Sequence, residues 1–394
     1  MEKNLFLYDT ETMRIRFIVG LLVILFVTVS FLGVYIGGER LRASPLEEER
    51  IGADILTLNF AGDIMAHDVN YNRPPYGRIY DDIRPILISD DLSFGNLEFP
   101  IDQSKPMSSF PAFNQHLDYV QAAVDAGFDV FSVSNNHAND QGPDSVVQTV
   151  RSMGMLEGST WSGIRGHSDD LYHPVTVNCG NWRIGFLSIS LFLNQPVGKE
   201  LVHTLNIYNR DRINAFLACL RELTPGYDLF VLSVHGGTEY IQQPNTKKAL
   251  FFRQAVEAGA DIVWGHHPHV LQPWDVVDTD EGKKLIMYST GNLISGQTWY
   301  LDPEKADYSI SPRGETALFE VKVSREKGAA GVIDVKPRFL FNHRQKTMVI
   351  RRADALLSDP GLSPEWKKYY ESRLEHLSVF ARPLSGISIS RETE

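Results

Sequence analysis

Three of the twelve histidines in this 394-residue chain lie within four positions, at His266, His267 and His269 in the segment VWGHHPHVLQP. The imidazole ring is the side chain that proteins use most often to bind metal ions. His267 and His269 flank a proline that restricts the backbone, so both rings can be directed at one ion or at a close pair. A histidine in a loop is more often simply solvated. The metal interpretation therefore requires carboxylates and a further histidine close by.

Similar polar groups, most of them next to glycine, follow five other apolar runs that have the composition of strands. The runs LTLNFA, DDLSFG, DVFSVS, DLFVLSV and LIMYST lead into residues 62–63, 96–98, 135–137, 235–237 and 291–292. In an open α/β sheet the carboxyl ends of parallel strands share one edge, and ligands bind there. Taken singly, residues 62–63, 135–136 and 291–292 are also typical of a turn, a helix cap and a hairpin. Together the groups predict one polar site.

The side chains at these strand ends have the chemistry of metal ligands. They supply two carboxylates, an amide and several imidazoles. Such hard and borderline ligands suit zinc, manganese or iron, and they leave coordination positions open for water. The sequence therefore predicts one or two divalent metal ions, whose identity the spacing does not select.

The segments that position these groups alternate between two kinds of periodicity. Strands are predicted at residues 55–61, 130–134, 183–189, 229–234, 262–264, 285–288, 317–323 and 332–341. Helices are predicted at residues 117–126, 144–153, 211–223 and 246–258, and Gly127 and Gly259 follow two of them as expected of C-terminal caps. This alternation predicts an α/β fold.

The polar motifs also carry a family resemblance. The ordered set AGDIM, NLEFPI, SNNHANDQG, VHGGTEY, GHHPHVLQP and YSTGNLI resembles the CapA (PgsA-type) capsule and poly-γ-glutamate synthesis proteins. Those proteins are similar to calcineurin-type metallophosphoesterases. The resemblance covers residues 55–323, and it implies a four-layer α/β/β/α sandwich of the metallophosphoesterase type.

The resemblance implies a role for each ligand. Asp63 would bind one ion, and Glu98 would stand where a carboxylate bridges two ions. Asn136 and His235 would hold the second ion. The six implied ligands are Asp63, Glu98, Asn136, His235, His267 and His269.

The residues beside these ligands have implied roles as well. His137 resembles the histidine that protonates a leaving oxygen, a role in keeping with an imidazole pKa near neutrality. His266 is expected to be a structural neighbour. The candidates for contacting substrate are Glu239, Asn292 and Arg313, although exposed charged residues usually serve solvation alone.

One position departs from the family pattern. Metallophosphoesterases usually begin with Asp-x-His, whereas Asp63 is followed at that spacing by Met65. His67 either replaces the missing ligand or is an ordinary loop histidine. The departure leaves open whether one or two ions bind.

Composition excludes several other classes of protein. The net charge of −11 argues against a general nucleic-acid binder, which would need clustered Lys and Arg. Cys179 and Cys219 are the only cysteines, so neither a thiolate zinc site nor a disulfide framework is predicted, although one bridge is possible in an oxidising compartment. No nucleotide-binding Gly-rich loop with its Lys is present, so polymer synthesis itself would belong to partner proteins.

The N-terminal region predicts attachment to a membrane. Residues 17–36 are an uncharged apolar run of the length that spans a bilayer, which favours an anchor over a cleaved signal peptide. The predicted organisation is a short cytoplasmic tail at 1–16, the anchor at 17–36 and a linker at 37–53. A CapA-like domain outside the cytoplasm follows at 54–345, with a helical and polar tail at 346–394.

These features together predict a membrane-anchored CapA-like protein of capsule or poly-γ-glutamate synthesis and export, with a metal-dependent phosphoesterase-like hydrolase site. The alternative is a non-catalytic accessory that binds and guides an anionic polymer or tethers the synthesis complex. The expected partners are the membrane, the synthesis and export proteins, and an anionic polymer or phosphoester.

Overall fold

Two β-sheets form the centre of the protein in the computed structural model, which describes residues 55–165, 172–305, 309–326 and 329–384. The described strands are β1 (Ile55–Ile64), β2 (Leu92–Leu97), β3 (Val130–Ser132), β4 (Thr160–Ser162), β5 (Val175–Cys179), β6 (Trp182–Ser190), β7 (Leu229–His235), β8 (Ile262–His266), β9 (Trp274–Thr279), β10 (Gly282–Met287), β11 (Asn292–Ile294), β12 (Glu315–Glu326), β13 (Ala329–Arg344) and β14 (Met348–Arg352).

Parallel strands lie at the centre of both sheets. The larger sheet has the order β14-β13-β12-β1-β2-β3-β4, and β11 also pairs with β1. Strands β1 to β4 are parallel, whereas β12, β13 and β14 are antiparallel additions on one side. The smaller sheet has the order β5-β6-β7-β8-β10-β9, with β6, β7, β8 and β10 parallel. Each sheet therefore has one edge where several strand ends meet.

Helices connect most of the parallel strands. They are α1 (Asp68–Tyr71), α2 (Arg84–Leu87), α3 (Leu117–Ala126), α4 (Pro143–Met153), α5 (Arg210–Leu223), α6 (Thr246–Glu257), α7 (Ala353–Leu357) and α8 (Pro364–Leu377). The side chains of Asn209 and Asn245 cap the N-termini of α5 and α6 by accepting backbone N–H bonds. Gly127 ends α3 with a φ of 120°, a conformation that favours glycine.

One hydrophobic core lies between the sheets, and one lies on the outer face of each sheet. Phe60 and Phe94 of the larger sheet stack at 4.6 Å between ring centroids, and Phe94 meets Phe186 of the smaller sheet edge-on at 5.6 Å. The next residue along β6, Leu187, faces the opposite way into the core formed with α5 and α6. Helices α3 and α4 cover the outer face of the larger sheet. The mixed α/β fold predicted from the sequence is confirmed.

The folded unit extends past residue 345, where the sequence had suggested that a tail begins. Strand β14 pairs with β13 in the larger sheet, because residues 345–347 form a tight connection between them. Tyr370 and Leu377 of α8 are buried in the core between the sheets. Residues 348–384 are therefore part of the fold.

The predicted anchor at 17–36 and the linker at 37–53 lie outside the described residues. Among the helices that are described, none has the length and apolar character needed to cross a membrane. Neither Cys179 nor Cys219 forms a disulfide within the described residues.

Candidate metal centre

The carboxyl ends of the central strands bring the predicted polar groups together. Asp63 is paired in register with Asn96 of β2 and with Asn292 of β11. In the smaller sheet His235 is paired in register with His266. The two sheets thus direct their strand ends at one buried region, as the sequence predicted.

A close backbone approach fixes the position of Asp63. Its N–H donates to the carbonyl of Gly291 at 2.9 Å. A Cβ atom on Gly62 would lie 2.0 Å from that same carbonyl oxygen, so only glycine fits before the aspartate. The motif AGD therefore has a structural reason for its glycine, and a side chain at residue 62 would displace Asp63 from the centre.

The loop after β8 holds its histidines in a strained conformation. His267 and His269 have φ values of 90° and 58°, a region that non-glycine residues seldom adopt. Such strain persists only where the surrounding structure enforces it, and it is concentrated at functional sites. The loop thus turns both rings toward the buried centre.

Two groups of potential ligand atoms share Glu98. The first contains Asp63, Glu98 and His269, and the second contains Glu98, His235 and His267; within each group the ligand atoms lie within 4.8 Å of one another. Nε2 of His269 and Nε2 of His235 are each 3.6 Å from the same carboxylate oxygen, Oε1 of Glu98. One oxygen of Glu98 is therefore equally close to an imidazole of each group.

Asn136 joins the second group through His235. Its Oδ1 lies 2.7 Å from Nε2 of His235. The second group therefore has four candidate donors, whereas the first has three. All six ligands predicted from the sequence lie at this centre.

Unpaired buried atoms show that the centre fits a cation. Both carboxylate oxygens of Glu98 and Nδ1 of His267 are buried without a hydrogen-bond partner within the described residues. Burial together with the charges of Asp63 and Glu239 raises the pKa of Glu98 well above its ordinary value. Leaving such groups unpaired is costly, and a divalent cation would satisfy them.

The pKa values of Asp63, His235 and His267 are shifted in the direction that metal binding requires. Burial opposes ionisation of Asp63, but contacts with His266 and His269 outweigh it and lower its pKa well below the ordinary value. Burial lowers the pKa of His235 and of His267 well below 6.5. A neutral imidazole and an ionised carboxylate are the forms that bind metals.

His137 lies beside the ligands and has a carboxylate partner that the sequence analysis missed. Nδ1 of His137 is 2.6 Å from Oδ2 of Asp140, and Phe113 packs edge-on against the ring at 4.8 Å. The i, i+3 spacing within the motif HAND was the signal that could have revealed Asp140. With Nδ1 occupied, Nε2 of His137 is the atom available to a substrate.

Two neighbouring polar residues contact the candidate ligands. Asn96, missed although it lies in the motif NLEF, donates to Oδ1 of Asp63 at 2.8 Å. Oδ1 of Asn292 lies 3.0 Å from Nδ1 of His269. Hydrogen bonds of this kind fix the orientation of ligand side chains. Asn292 thus contacts a candidate ligand, and its contact with substrate stays a prediction.

The other two substrate candidates lie at the rim of the centre. Glu239 is exposed. Its carboxylate forms a further group of potential ligand atoms together with His267 and His269. The guanidinium of Arg313 stacks over the ring of Tyr240 at 3.7 Å. That ring is 6.0 Å from the ring of His269, so Arg313 lies within reach of the centre.

Met65 and its neighbours fill the position where a second histidine usually lies. Met65 is buried, and its sulfur is 3.9 Å from Nε2 of Gln297, whose Oε1 accepts from Asn292. His67 belongs to none of the groups of potential ligand atoms in the described residues. His266 lies 3.4 Å from Oδ1 of Asp63 and packs edge-on against Trp264.

A buried lysine stands near the centre, with its Nζ 5.4 Å from the ring centroid of Phe252. Lys248 is fully buried, and its Nζ makes no hydrogen bond to the described residues. Burial lowers its pKa from 10.5 to about 7, with the charge of Asp63 opposing.

Comparison with known proteins identifies relatives of this chain. The family model described as "Bacterial capsule synthesis protein PGA_cap" matches residues 57–297. "Capsule biosynthesis protein CapA" of Bacillus anthracis is 27% identical over 343 residues, which are 83% of this chain and 80% of the relative. "PGA biosynthesis protein CapA" of Bacillus subtilis is 28% identical over 283 residues, which are 68% and 71% of the two chains.

A solved structure is also similar in part. It is a hypothetical protein from Thermus thermophilus, with 16% sequence identity and a TM-score of 0.44. The match covers 72% of this chain and 98% of that one. On the family match over residues 57–297, which include the whole buried centre, this chain belongs to the bacterial capsule synthesis protein family PGA_cap.

Proposed function

We propose that this protein is a metal-dependent phosphoesterase-like hydrolase that acts in bacterial capsule biosynthesis. The family and the two named relatives support the role in capsule biosynthesis. The observation that carries the hydrolase proposal is Glu98, a buried carboxylate without hydrogen-bond partners in the described residues, shared by two groups of imidazole and carboxylate ligands. The three cores between and outside the sheets support a four-layer sandwich of the metallophosphoesterase type.

The ligand groups assign residues to the metal ions. Asp63, Glu98 and His269 would hold one ion, and His235, His267, Asn136 and the shared Glu98 would hold the other. When bound, the ions stabilise negative charge on a phosphoryl group and make water a stronger nucleophile. The ligand set suits zinc, manganese or iron.

His137 and Asp140 provide the proton that hydrolysis needs. Hydrolysis breaks the bond between phosphorus and the leaving oxygen, water supplies the replacing oxygen, and the leaving oxygen takes up a proton. Asp140 holds Nδ1 of His137 at 2.6 Å, which leaves Nε2 to donate that proton. Because both side chains are almost fully buried, the ring is kept in one orientation.

Arg313 provides positive charge at the rim. Its guanidinium lies flat on Tyr240, which limits its motion, and its Nε is buried without a partner in the described residues. A planar guanidinium binds phosphate oxygens in a bidentate manner. We therefore assign Arg313 to binding the anionic substrate.

The test uses the purified full-length protein loaded with zinc or manganese and two phosphoesters that differ in the leaving group. His137→Ala should lower turnover of an alkyl phosphoester by roughly 10²–10⁴, the usual contribution of general acid catalysis, with metal content unchanged. Turnover of a nitrophenyl ester should fall much less in this variant, because its leaving group needs no proton. Equal losses for both esters would rule out His137 as the acid, and no turnover by metal-loaded wild type would rule out the hydrolase.

A cleft beside the centre favours a second function, the holding of an anionic polymer. It measures about 870 Å³ and begins at Phe192 and Gly237, next to the metal ligands. The ring of Phe192 packs edge-on against His267 at 4.9 Å. One wall of the cleft therefore contacts a residue of the candidate centre.

Positive charge predominates among the residues that line this cleft. Three of them, Arg165, Lys199 and Arg212, are cationic, and one, Glu200, is acidic, although the whole chain carries a net charge of −11. Nη1 of Arg165 is buried and has no partner within the described residues. Such a groove suits an extended polyanion, for which poly-γ-glutamate is our candidate from the resemblance and from the name of the Bacillus subtilis relative.

Binding of soluble polyglutamate to the full-length protein tests this second function. The double substitution Arg165→Gln and Arg212→Gln should weaken binding, whereas Lys367→Gln with Lys368→Gln, which removes the same charge from α8, should not. Equal weakening by both pairs would indicate only an effect of net charge. Polymer binding through the cleft without any phosphoesterase activity would establish the accessory function instead of the hydrolase.

We further propose that residues 17–36 anchor the protein in the cell membrane, with the domain outside the cytoplasm beside capsule synthesis and export proteins. The uncharged length of this segment supports the proposal. Protease added to cells stripped of their outer layers should digest the domain. Resistance to protease, or extraction of the protein without detergent, would contradict the topology.

A further inference from the structure

The orientation of His67 sets the position of its ring proton. This residue lies four positions after Asp63, at the start of α1, and its Nδ1 accepts a hydrogen bond from the backbone N–H of Gly296 at 3.0 Å. A backbone N–H can only donate, so Nδ1 must carry a lone pair. A neutral ring bonded in this way holds its proton on Nε2.

The surroundings keep the ring neutral and fixed. Burial lowers the pKa of His67 from 6.5 to about 4, and the neighbouring imidazoles of His269 and His137 contribute to the lowering, whereas Asp68 opposes it. The ring packs edge-on against Phe113 at 5.4 Å, and Phe113 in turn packs against His137. The hydrogen bond from Gly296 to Nδ1 therefore leaves the ring proton on Nε2.

The close approach of Gly296 to His67 supports the hydrogen bond to Nδ1. A Cβ atom on Gly296 would lie 2.7 Å from Cβ of His67, so the chain passes this ring at a distance that only glycine allows. The approach places the N–H of Gly296 against Nδ1. The loop after β11 and the start of α1 thus orient His67 together.

A metal ion needs a lone pair, which Nε2 in this form lacks. His67 also lies outside the groups of potential ligand atoms in the described part of the chain. Its ring nonetheless contacts Phe113, which also packs against His137, so His67 lies close to the candidate proton donor.

We propose that His67 is a hydrogen-bond donor to an oxygen of a tetrahedral oxyanion, such as the phosphoryl group of a phosphoester, and is not the replacement for the ligand missing at Met65. This inference rests on the proposed function, since it concerns the substrate of the same centre. His67 would bind the anion through Nε2–H while Gly296 holds Nδ1.

Metal content and phosphate binding, measured separately on the full-length protein, test the proposal. His67→Ala should keep its metal, whereas His267→Ala, as the reference for a lost ligand, should not. Inorganic phosphate should bind metal-loaded His67→Ala roughly 10- to 100-fold more weakly than wild type, the usual effect of a lost hydrogen bond to a charged group. His67→Gln, which restores an N–H near the position of Nε2, should recover part of the affinity and guards against misfolding of the alanine variant.

His203→Gln is the matched control, because burial also lowers the pKa of His203 to about 4 but its Nδ1 lies beside the carbonyl of Ser188. It should leave phosphate binding unchanged. In ¹⁵N spectra of the zinc-loaded protein, the signals that disappear in His67→Gln should show the proton on Nε2.

Three results would overturn the inference, and they are distinguishable. Loss of metal from His67→Ala would make His67 a ligand. Equal phosphate binding by wild type and His67→Ala would remove the donor role alone. Failure of metal-loaded wild type to bind phosphate would defeat the proposed function together with the inference.

Discussion

Glu98→Gln should make the metal-free protein more stable while abolishing most of its stabilisation by metal. In wild type without metal, a fully buried carboxylate with no hydrogen-bond partner in the described residues faces Asp63. Burial and the neighbouring carboxylates raise its pKa above the ordinary 4.5. The substitution keeps the shape of the side chain and removes the charge.

The sign of the pH dependence follows from the raised pKa of Glu98. Between pH 4.5 and its folded pKa the folded protein binds more protons than the unfolded one, so stability falls as pH rises through this range. At pH 5 the folded carboxyl is protonated, and Glu98→Gln should change the free energy of unfolding little. At pH 8 the substitution should raise it by about 1–3 kcal/mol, the usual cost of a buried unsatisfied group.

Urea denaturation of chelated and metal-loaded full-length protein at both pH values provides the measurement. Metal at about 100 times its Kd should stabilise wild type by about 2.7 kcal/mol and the variant by much less. Glu315→Gln is the control, because Glu315 is equally buried but its carboxylate accepts from Arg373. In Glu315→Gln the loss of charge should lower the free energy of unfolding by up to about 3–5 kcal/mol.

The reasoning would fail if chelated Glu98→Gln were no more stable than wild type at pH 8. It would fail equally if metal stabilised the variant as strongly as wild type.

Three further predictions follow from the centre. His235→Ala combined with His267→Ala should remove most of the ion held by the second group; retention of full metal content by elemental analysis would contradict that assignment. Asp140→Asn should lower phosphoester turnover by roughly 10²–10⁴ through loss of the His137 orientation, with metal content intact, and an unchanged rate would refute the pairing. Lys248→Met should raise the free energy of unfolding of chelated protein by about 1–3 kcal/mol below pH 7, where the buried amine must be charged, and by progressively less as pH approaches 10.5; a loss of stability in urea would show that the amine has a partner.

The sequence predicts that these polar side chains lie together, because their local pattern and the topology of the sheets coincide. Each ligand follows a strongly apolar strand, and parallel strands necessarily bring their carboxyl ends to one edge. The helix at Leu117–Ala126 has clear spacing and a glycine cap, and its predicted bounds agree with the structure. These features depend on short segments in which the spacing of apolar residues itself indicates a strand or a helix.

Contacts between segments that are distant in the chain could not be predicted from the sequence. The N–H of Gly296 on His67 joins residues 229 positions apart, and no local pattern indicates it. Strand β5 alternates only weakly between buried and exposed residues and was not predicted. Strand β14 and helix α8 were assigned to a tail, because their burial depends on β13 being present to receive them.

The two ligand groups differ in a way that predicts the order of metal binding. The second group offers Glu98, His235 and His267, and Asn136 is hydrogen-bonded to His235 as a fourth donor. The first offers Asp63, Glu98 and His269. A site with more protein donors holds its ion more tightly. Metal should therefore bind first at the second group and more weakly at the first.

Met65 is the reason for the weaker group, and a substitution there tests the argument. Its buried sulfur contacts Gln297, at the spacing after Asp63 where the resemblance to metallophosphoesterases implies a histidine, and a thioether is only a weak ligand for such ions. Calorimetric titration of full-length protein with zinc should give one tight and one weak event, and Met65→His should tighten the weak event alone. Met65→Leu, which keeps the volume without adding a donor, should leave both unchanged. Two equally tight events in wild type, or tightening by leucine as well, would show that the number of donors does not control occupancy.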